Sequence, residues 1–126
     1  MEISAVGVSA TDLGRAVAFY SLLGFSFPPF DEGEDHVEST NPGARLMIDT
    51  AELLTGLLGE PPRPANTAAF AVRCATAGQV DGLVTRVASA GHGVVTEPFD
   101  APWGQRYATV ADPDGWRVDL YAPLGG

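Results

Sequence analysis

The sequence contains no lysine, only one cysteine and no long apolar run, and each shortage excludes a class of protein. All seven basic residues are arginine, against 16 acidic residues, so the net charge is −9. Because a phosphate backbone is bound by a basic surface, we expect no nucleic-acid partner. No apolar stretch approaches the roughly 20 residues of a membrane span, so we also expect no membrane partner.

Cys74 is the single cysteine, so no internal disulfide can form. It ends an alternating apolar strand pattern, which predicts a buried structural thiol rather than a nucleophile. Residues 1–4, Met-Glu-Ile-Ser, lack the basic start and long apolar run of a secretory signal. Together these features predict a cytoplasmic protein.

The composition is that of a globular protein of one ordinary domain. The chain has 126 residues, of which 45% are apolar and 18% charged. The acidic charge has two interpretations at this point. It either serves solubility, or it favours a cationic ligand if carboxylates line a cleft.

Strand and helix patterns alternate in the first half of the chain. Thr11 and Asp12 offer helix caps, the apolar spacing predicts a helix over 13–23, and Gly24 stands where helices end. Strands are predicted at 3–8, 25–27, 36–39 and 44–49. The stretch 53–58 is compatible with either a strand or a helical turn.

The same order returns after a proline-rich linker. Strands are predicted at 67–74, 94–96, 105–111 and 116–121, with a helix around 80–90 that ends at Gly91. The two helices begin roughly 65 residues apart, which indicates an internal duplication. We therefore expect one domain over 1–126, with module one at 1–60, a linker at 60–66 and module two at 67–126.

Two groups of motifs resemble the vicinal-oxygen-chelate superfamily, which includes glyoxalase I, bleomycin-resistance proteins and extradiol dioxygenases. They are Asp-Leu-Gly-Arg-Ala-Val-Ala-Phe-Tyr at 12–20 with Leu-Gly-Phe at 23–25, and Pro-Trp-Gly-Gln-Arg-Tyr at 102–107 with Asp-Pro-Asp-Gly at 112–115 and Asp-Leu-Tyr at 119–121. The resemblance implies an α+β fold of two βαβββ modules, whose open, barrel-like curved mixed sheets carry helices on their outer faces. It also implies a homodimer in which each cavity is built from both subunits.

Strand alternation is compatible with this arrangement. On each strand the bulkier apolar set can pack under the helices. The opposite set then faces the cavity, and it includes Ala5, Thr67, Ala69 and Asp119.

The sequence lacks most of the side chains that the resemblance implies for a metal site. The four positions matching the family's metal ligands are Ala5, Met47 (or Asp49 under a register shift of two), Thr67 and Asp119. Alanine and threonine cannot replace imidazole at a transition-metal site. We therefore expect no metal and no cofactor. His92 is predicted at the surface, and the role of His36 stays open.

Trp103 is the leading candidate for ligand contact. The resemblance places its Pro-Trp-Gly motif where an indole stacks on a flat ligand in antibiotic-sequestering relatives; the alternative is that Trp103 fills the dimer interface. Phe30 is expected to oppose it across the dimer. The remaining candidate ligand-binding residues are Tyr107, Met47, Asp119 and Thr67. For Asp119 two interpretations are equal alternatives: it accepts a hydrogen bond from a ligand or pairs with a cationic one, or it forms an ordinary salt bridge or lies solvated in a cleft.

Three functions follow as hypotheses. The first is metal-independent binding or sequestration of a small, partly aromatic compound in a dimer cleft. A cationic, antibiotic-like compound is one form of this hypothesis. The second is a glyoxalase-like lyase or isomerase with an atypical metal site. The third is an accessory or regulatory module without a ligand. The first leads, and it makes the protein a binder rather than an enzyme.

Overall fold

The computed structural model describes residues 1–125 and confirms an α+β fold. The chain forms two compact units, Met1–Pro64 and the part from Ala65 onward. Each unit has its own mixed sheet, and neither sheet closes into a barrel in the part of the chain that is described. None of the helices within residues 1–125 has the length and apolar character needed to cross a membrane.

The first unit builds a three-stranded sheet. Its elements are β1 (Ala5–Ala10), α1 (Leu13–Leu22), β2 (His36–Glu38), β3 (Arg45–Thr50) and α2 (Ala51–Leu58). The strand order is β1-β3-β2, with β1 parallel and β2 antiparallel to β3. Asp12 caps α1 as its sequence position predicts, because its carboxylate accepts the backbone N–H of Arg15. Leu46 and Ile48 of β3 and Phe19 and Tyr20 of α1 are fully buried.

The predicted strand at 25–27 is wrong, so this unit is not a complete βαβββ module. The backbone N–H of Phe25 donates to Tyr20 at the end of α1, and that of Ser26 donates to the side chain of Asn41. These partners replace a strand ladder, and Pro28 and Pro29 remove two further donors.

The ambiguous stretch 53–58 belongs to α2. The Thr50 hydroxyl accepts the N–H of Leu53 at the start of the helix, and Gly59 ends it with a left-handed φ of 82°. The first unit therefore runs strand, helix, two strands and a second helix.

The second unit follows the predicted βαβββ order. Its elements are β4 (Ala68–Arg73), α3 (Ala77–Ser89), β5 (Gly93–Ala101), β6 (Gln105–Ala111) and β7 (Arg117–Pro123). The strand order is β4-β7-β6-β5, in which only the β4–β7 pair is parallel. The strand predicted at 94–96 is longer than expected. Its Pro98 is tolerated because β5 is an edge strand whose register shifts between Thr96 and Phe99.

Strand alternation divides the second sheet into two faces. Ala108, Val110, Val118, Leu120 and Ala122 are fully buried, and so are Val80 and Val87 of α3, which packs on this sheet. The intervening residues of β6 and β7 are half-buried and lie on the opposite face. This division places Tyr107 and Asp119 on the same face, away from α3.

Candidate functional site

Trp103 lies at the tip of the hairpin that joins β5 to β6. The N–H of Gly104 donates to the carbonyl of Ala101 at 3.0 Å, and Gly104 has a φ of 88°, which glycine adopts without strain. Pro102 stands directly before Trp103 and restricts the backbone further. Trp103 is 59% exposed, although the backbone on either side of it is restricted.

Trp103 belongs to a chain of four contacting aromatic rings that we call the aromatic face: Phe99, Trp103, Tyr107 and Tyr121. Trp103 meets Tyr107 with ring centroids 5.4 Å apart and Phe99 with centroids 6.3 Å apart, both edge-to-face. Tyr107 stacks on Tyr121, its direct partner across the β6–β7 ladder. Aromatic pairs of this geometry are attractive, so the rings support one another.

Asp119 adds a negative charge to the aromatic face. Its two carboxylate oxygens accept hydrogen bonds from the hydroxyls of Tyr107, at 2.5 Å, and Thr109, at 2.6 Å. Burial and the bond to Asp119 raise the pKa of Tyr107 to about 12, so the phenol stays neutral and donates. Within residues 1–125, no Arg or His forms an ion pair with Asp119. Two neutral donors therefore orient the carboxylate, and no positive side chain compensates its charge within the described residues.

In the first unit Met47 lies among polar groups that we call the histidine network: His36, Glu38, Arg45 and Asp49. The two ring nitrogens of His36 lie 2.6 Å from Asp49 and 2.7 Å from Glu38, and Arg45 donates to Glu38 at 2.7 Å. Hydrogen bonds to Glu38 and then to Asp49 raise the pKa of His36. Met47 is half-buried beside Glu38, its direct partner on β2.

Phe30 lines a different feature, an acidic pocket of about 380 Å³ in the first unit. The other lining residues include six carboxylates and no basic side chain: Asp12, Asp31, Glu32, Glu34, Asp35 and Glu52. Several of these already accept hydrogen bonds within the fold, as Asp12 does from α1 and Asp35 does from Thr50. The structure thus places Phe30 in the first unit and the aromatic face in the second.

Thr67 lies one residue before β4 and is exposed, so it stands outside the paired ladder of the second sheet. The residues at the positions of the family's metal ligands do not fit a transition metal. Ala5, Met47 and Thr67 supply no strong donor, which leaves Asp119 as the single carboxylate among these positions. Asp49, the alternative to Met47, is hydrogen-bonded to His36. Across residues 1–125, no group of three or more His, Cys, Asp or Glu side chains could hold a metal ion.

Sequence reasoning missed four members of these sites: Phe99, Tyr121, Thr109 and Gln105. The face on which Phe99 lies could not be predicted from alternation, because the register shift in β5 interrupts the period of two before it. Tyr121 could have been found, since it lies two residues after Asp119 on the same strand. Thr109 and Gln105 occupy the same face of β6 as Tyr107, so the same period would have identified them.

A model of the Glyoxalase/Bleomycin resistance protein/Dioxygenase superfamily matches residues 2–120. The comparison with curated proteins finds no match.

Several solved structures are similar to the chain at low identity. A glyoxalase-related enzyme from Fulvimarina pelagi has a TM-score of 0.81 at 22% identity, covering 100% of this chain and 94% of its own. Lactoylglutathione lyase from Agrobacterium tumefaciens has a TM-score of 0.70 at 19% identity, and the match covers 96% of this chain and 92% of its own. TioX from Micromonospora sp. ML1 has a TM-score of 0.66 at 23% identity, and the match covers 98% of this chain and 100% of its own. At these identities the likeness concerns the fold alone.

Proposed function

The chain belongs to the glyoxalase/bleomycin resistance protein/dioxygenase superfamily, and from this premise we propose that it binds a small, flat, cationic compound without a metal. The observation that carries the proposal is the pairing of an exposed indole with an uncompensated carboxylate on one sheet face. Trp103 offers ring surface and Asp119 offers charge, and the ring of Tyr107 contacts Trp103 while its hydroxyl bonds to Asp119.

A flat cation satisfies both features at once. An aromatic ring stacks on or against the indole, and a positive charge is attracted both to the aromatic rings and to Asp119. An anion of the same shape would meet the Asp119 carboxylate and a chain of net charge −9, so it would be repelled. These two arguments favour a cationic ligand over a neutral or anionic one.

Asp119 retains capacity for such a ligand. A carboxylate has about four lone-pair sites, of which Tyr107 and Thr109 use two. Because both hydroxyls orient the carboxylate before binding, little rearrangement is needed when a cation arrives. Binding in this arrangement breaks no bond, so sequestration rather than catalysis is the proposed activity.

We further propose that the binding unit is a homodimer with the ligand in a cleft between two copies. Leu57 and Leu58 near the end of α2 are 73% and 61% exposed, and burial against a second copy would remove their apolar surface from water. Analytical ultracentrifugation of the wild type and of Leu57→Glu tests this: a dimer that the charge converts to monomer is expected. A monomeric wild type at tens of micromolar overturns it.

Isothermal titration calorimetry tests the ligand class with three simple probes and with bleomycin. N-methylacridinium is flat and cationic, anthracene carboxylate is flat and anionic, and tetramethylammonium is cationic without a ring. We expect heat of binding with acridinium, weaker binding with tetramethylammonium and none with the anion. Absence of binding by acridinium and by bleomycin, itself cationic and partly aromatic, would contradict the proposal.

Two variants locate the binding on the aromatic face. Trp103→Ala is expected to weaken acridinium binding at least about tenfold, and Asp119→Asn about three- to tenfold. Val95→Ala and Glu97→Gln are matched controls, because they remove an exposed apolar and an exposed acidic side chain elsewhere on β5. Elemental analysis of the purified protein accompanies these titrations, and one transition metal per chain would overturn the metal-independent mechanism.

A further inference from the structure

The N–H group of the exposed Trp103 indole forms a hydrogen bond within the hairpin. The Nε1–H donates to Oε1 of Gln105 at 2.9 Å, two residues further along the hairpin. An exposed side chain at a hairpin tip ordinarily samples several rotamers. Here one hydrogen bond and the edge-to-face contacts with Phe99 and Tyr107 all restrict the same ring.

Gln105 is itself well anchored. It is the first residue of β6, half-buried, and it pairs with Ala101 of β5 and Pro123 of β7. The adjacent carbonyl of Gly104 accepts the N–H of Leu124 at 2.9 Å, which ties the end of the hairpin to the segment after β7. The acceptor for the indole therefore projects from a backbone position that is fixed on both sides.

We propose that Gln105 is a positioning residue that holds the Trp103 indole by its N–H, so that the site takes ligands through the ring face alone. This inference rests on the proposed function for its ligand but not for its structural part. Tryptophan has one polar hydrogen, and Gln105 occupies it. A ligand therefore gains nothing from placing an acceptor at the indole edge. The flatness and charge of the ligand determine selectivity instead.

Preorganisation gives the hydrogen bond a measurable effect on affinity. A ligand that stacks on an ordered ring avoids the entropic cost of immobilising it on binding. We expect loss of the Gln105 acceptor to weaken acridinium binding about three- to tenfold. The free protein should change as well, with faster motion of the indole and about two- to tenfold faster exchange of its N–H.

Two variants of Gln105 separate the acceptor from mere packing. Gln105→Met has similar length and no strong acceptor, whereas Gln105→Glu keeps an oxygen that can accept the indole N–H. The measurement is the ¹⁵N heteronuclear NOE and the hydrogen exchange of the two indole N–H groups, with Trp103→Phe assigning the peaks. Trp116 is the internal reference for folding.

We expect Gln105→Met to lower the NOE and speed exchange at Trp103 only, and Gln105→Glu to retain wild-type values. An unchanged Trp103 signal in Gln105→Met, or equal loss in both variants, overturns the positioning role. So does loss of Trp103 N–H protection when acridinium binds to the wild type, because the ligand would then displace Gln105. If Trp103 is ordered by Gln105 but no probe binds, the proposed function fails and the positioning role stands.

Discussion

Tyr107 and Asp119 are joined diagonally across the β6–β7 ladder by a hydrogen bond from the phenol hydroxyl to Oδ2, 2.5 Å long. The ring of the same tyrosine contacts Trp103 edge-to-face. Asp119 and the exposed indole are therefore connected through one side chain. A change at Tyr107 should affect the stability of the sheet and the geometry of the aromatic face together.

Tyr107→Phe removes the donor and leaves a half-buried carboxylate with one hydroxyl partner. Hydrogen bonds to charged groups contribute about 1.5–3 kcal/mol, so the free energy of unfolding should fall by about that amount. Urea denaturation measures the change. Tyr121→Phe is the control, because the Tyr121 hydroxyl forms no hydrogen bond within residues 1–125, and a change within about 0.5 kcal/mol is expected. Equal losses in the two variants would mean that ring packing, not the hydrogen bond, matters at Tyr107.

The raised pKa of Tyr107 predicts how stability depends on alkaline pH. Its pKa of about 12 exceeds the ordinary value near 10, chiefly because burial disfavours the phenolate. The resulting stabilisation is fully present below pH 10 and is lost as the pH rises towards 12. Phenolate absorbance of the folded protein should show a step near pH 12 that is missing in Tyr107→Phe. A difference between the two titrations centred at pH 10 would contradict this assignment.

His36 predicts a second pH dependence, near neutrality. Glu38 and then Asp49 raise its pKa above the ordinary 6.5 through hydrogen bonds to the two ring nitrogens. The protonated form is favoured by folding, so this stabilisation is complete below pH 6.5 and is lost as the pH rises through the raised pKa. NMR titration of the His36 ring should give a midpoint above 6.5, and Glu38→Gln should lower it. Glu97→Gln serves as a charge control, and an equal shift in that variant would assign the effect to net charge.

Burial protects the single thiol. Cys74 is 3% exposed, as its alternating strand pattern predicts, and desolvation raises its pKa. The native protein should react with a thiol-specific disulfide reagent far more slowly than the unfolded chain, because both access and thiolate formation are suppressed. Absorbance of the released thiolate with and without guanidinium measures the ratio. Equal rates in the two conditions would show that the thiol is accessible in the folded protein.

The second unit was largely predictable because its local signals agree with one another. The spacing of Val80, Leu83, Val84 and Val87 predicts α3, and all four are buried. The alternation of Val118 and Leu120 with Asp119 predicts the faces of β7, and the structure confirms it. Asp112 also behaves as its turn motif predicts, since its carboxylate accepts the N–H groups of Asp114 and Trp116.

The first unit was harder because hydrogen-bond partners outside each stretch decided its local structure. Phe25, Ser26 and Phe27 have a strand-like composition, but the hydrogen-bond partners of Phe25 and Ser26 come from the end of α1 and from Asn41. Residues 53–58 carry no decisive period, and the cap at Thr50 with the left-handed Gly59 selects the helix. Neither set of partners lies in the pattern of the stretch itself.

The candidate site divides in the same way. The sequence predicted Tyr107 and Asp119 from alternation, and the family resemblance of its motifs pointed to Trp103 and to the metal-ligand positions now held by Ala5 and Thr67. These predictions depend on local spacing, side-chain chemistry and motif resemblance, all of which can be read from the sequence. Only the tertiary structure showed that the Tyr107 and Thr109 hydroxyls orient Asp119 and that Gln105 accepts the N–H of the indole. It also showed that His36 bridges Glu38 and Asp49. Those contacts depend on strand register and on the geometry of a turn, which bring side chains within 3 Å in a way that period and composition do not specify.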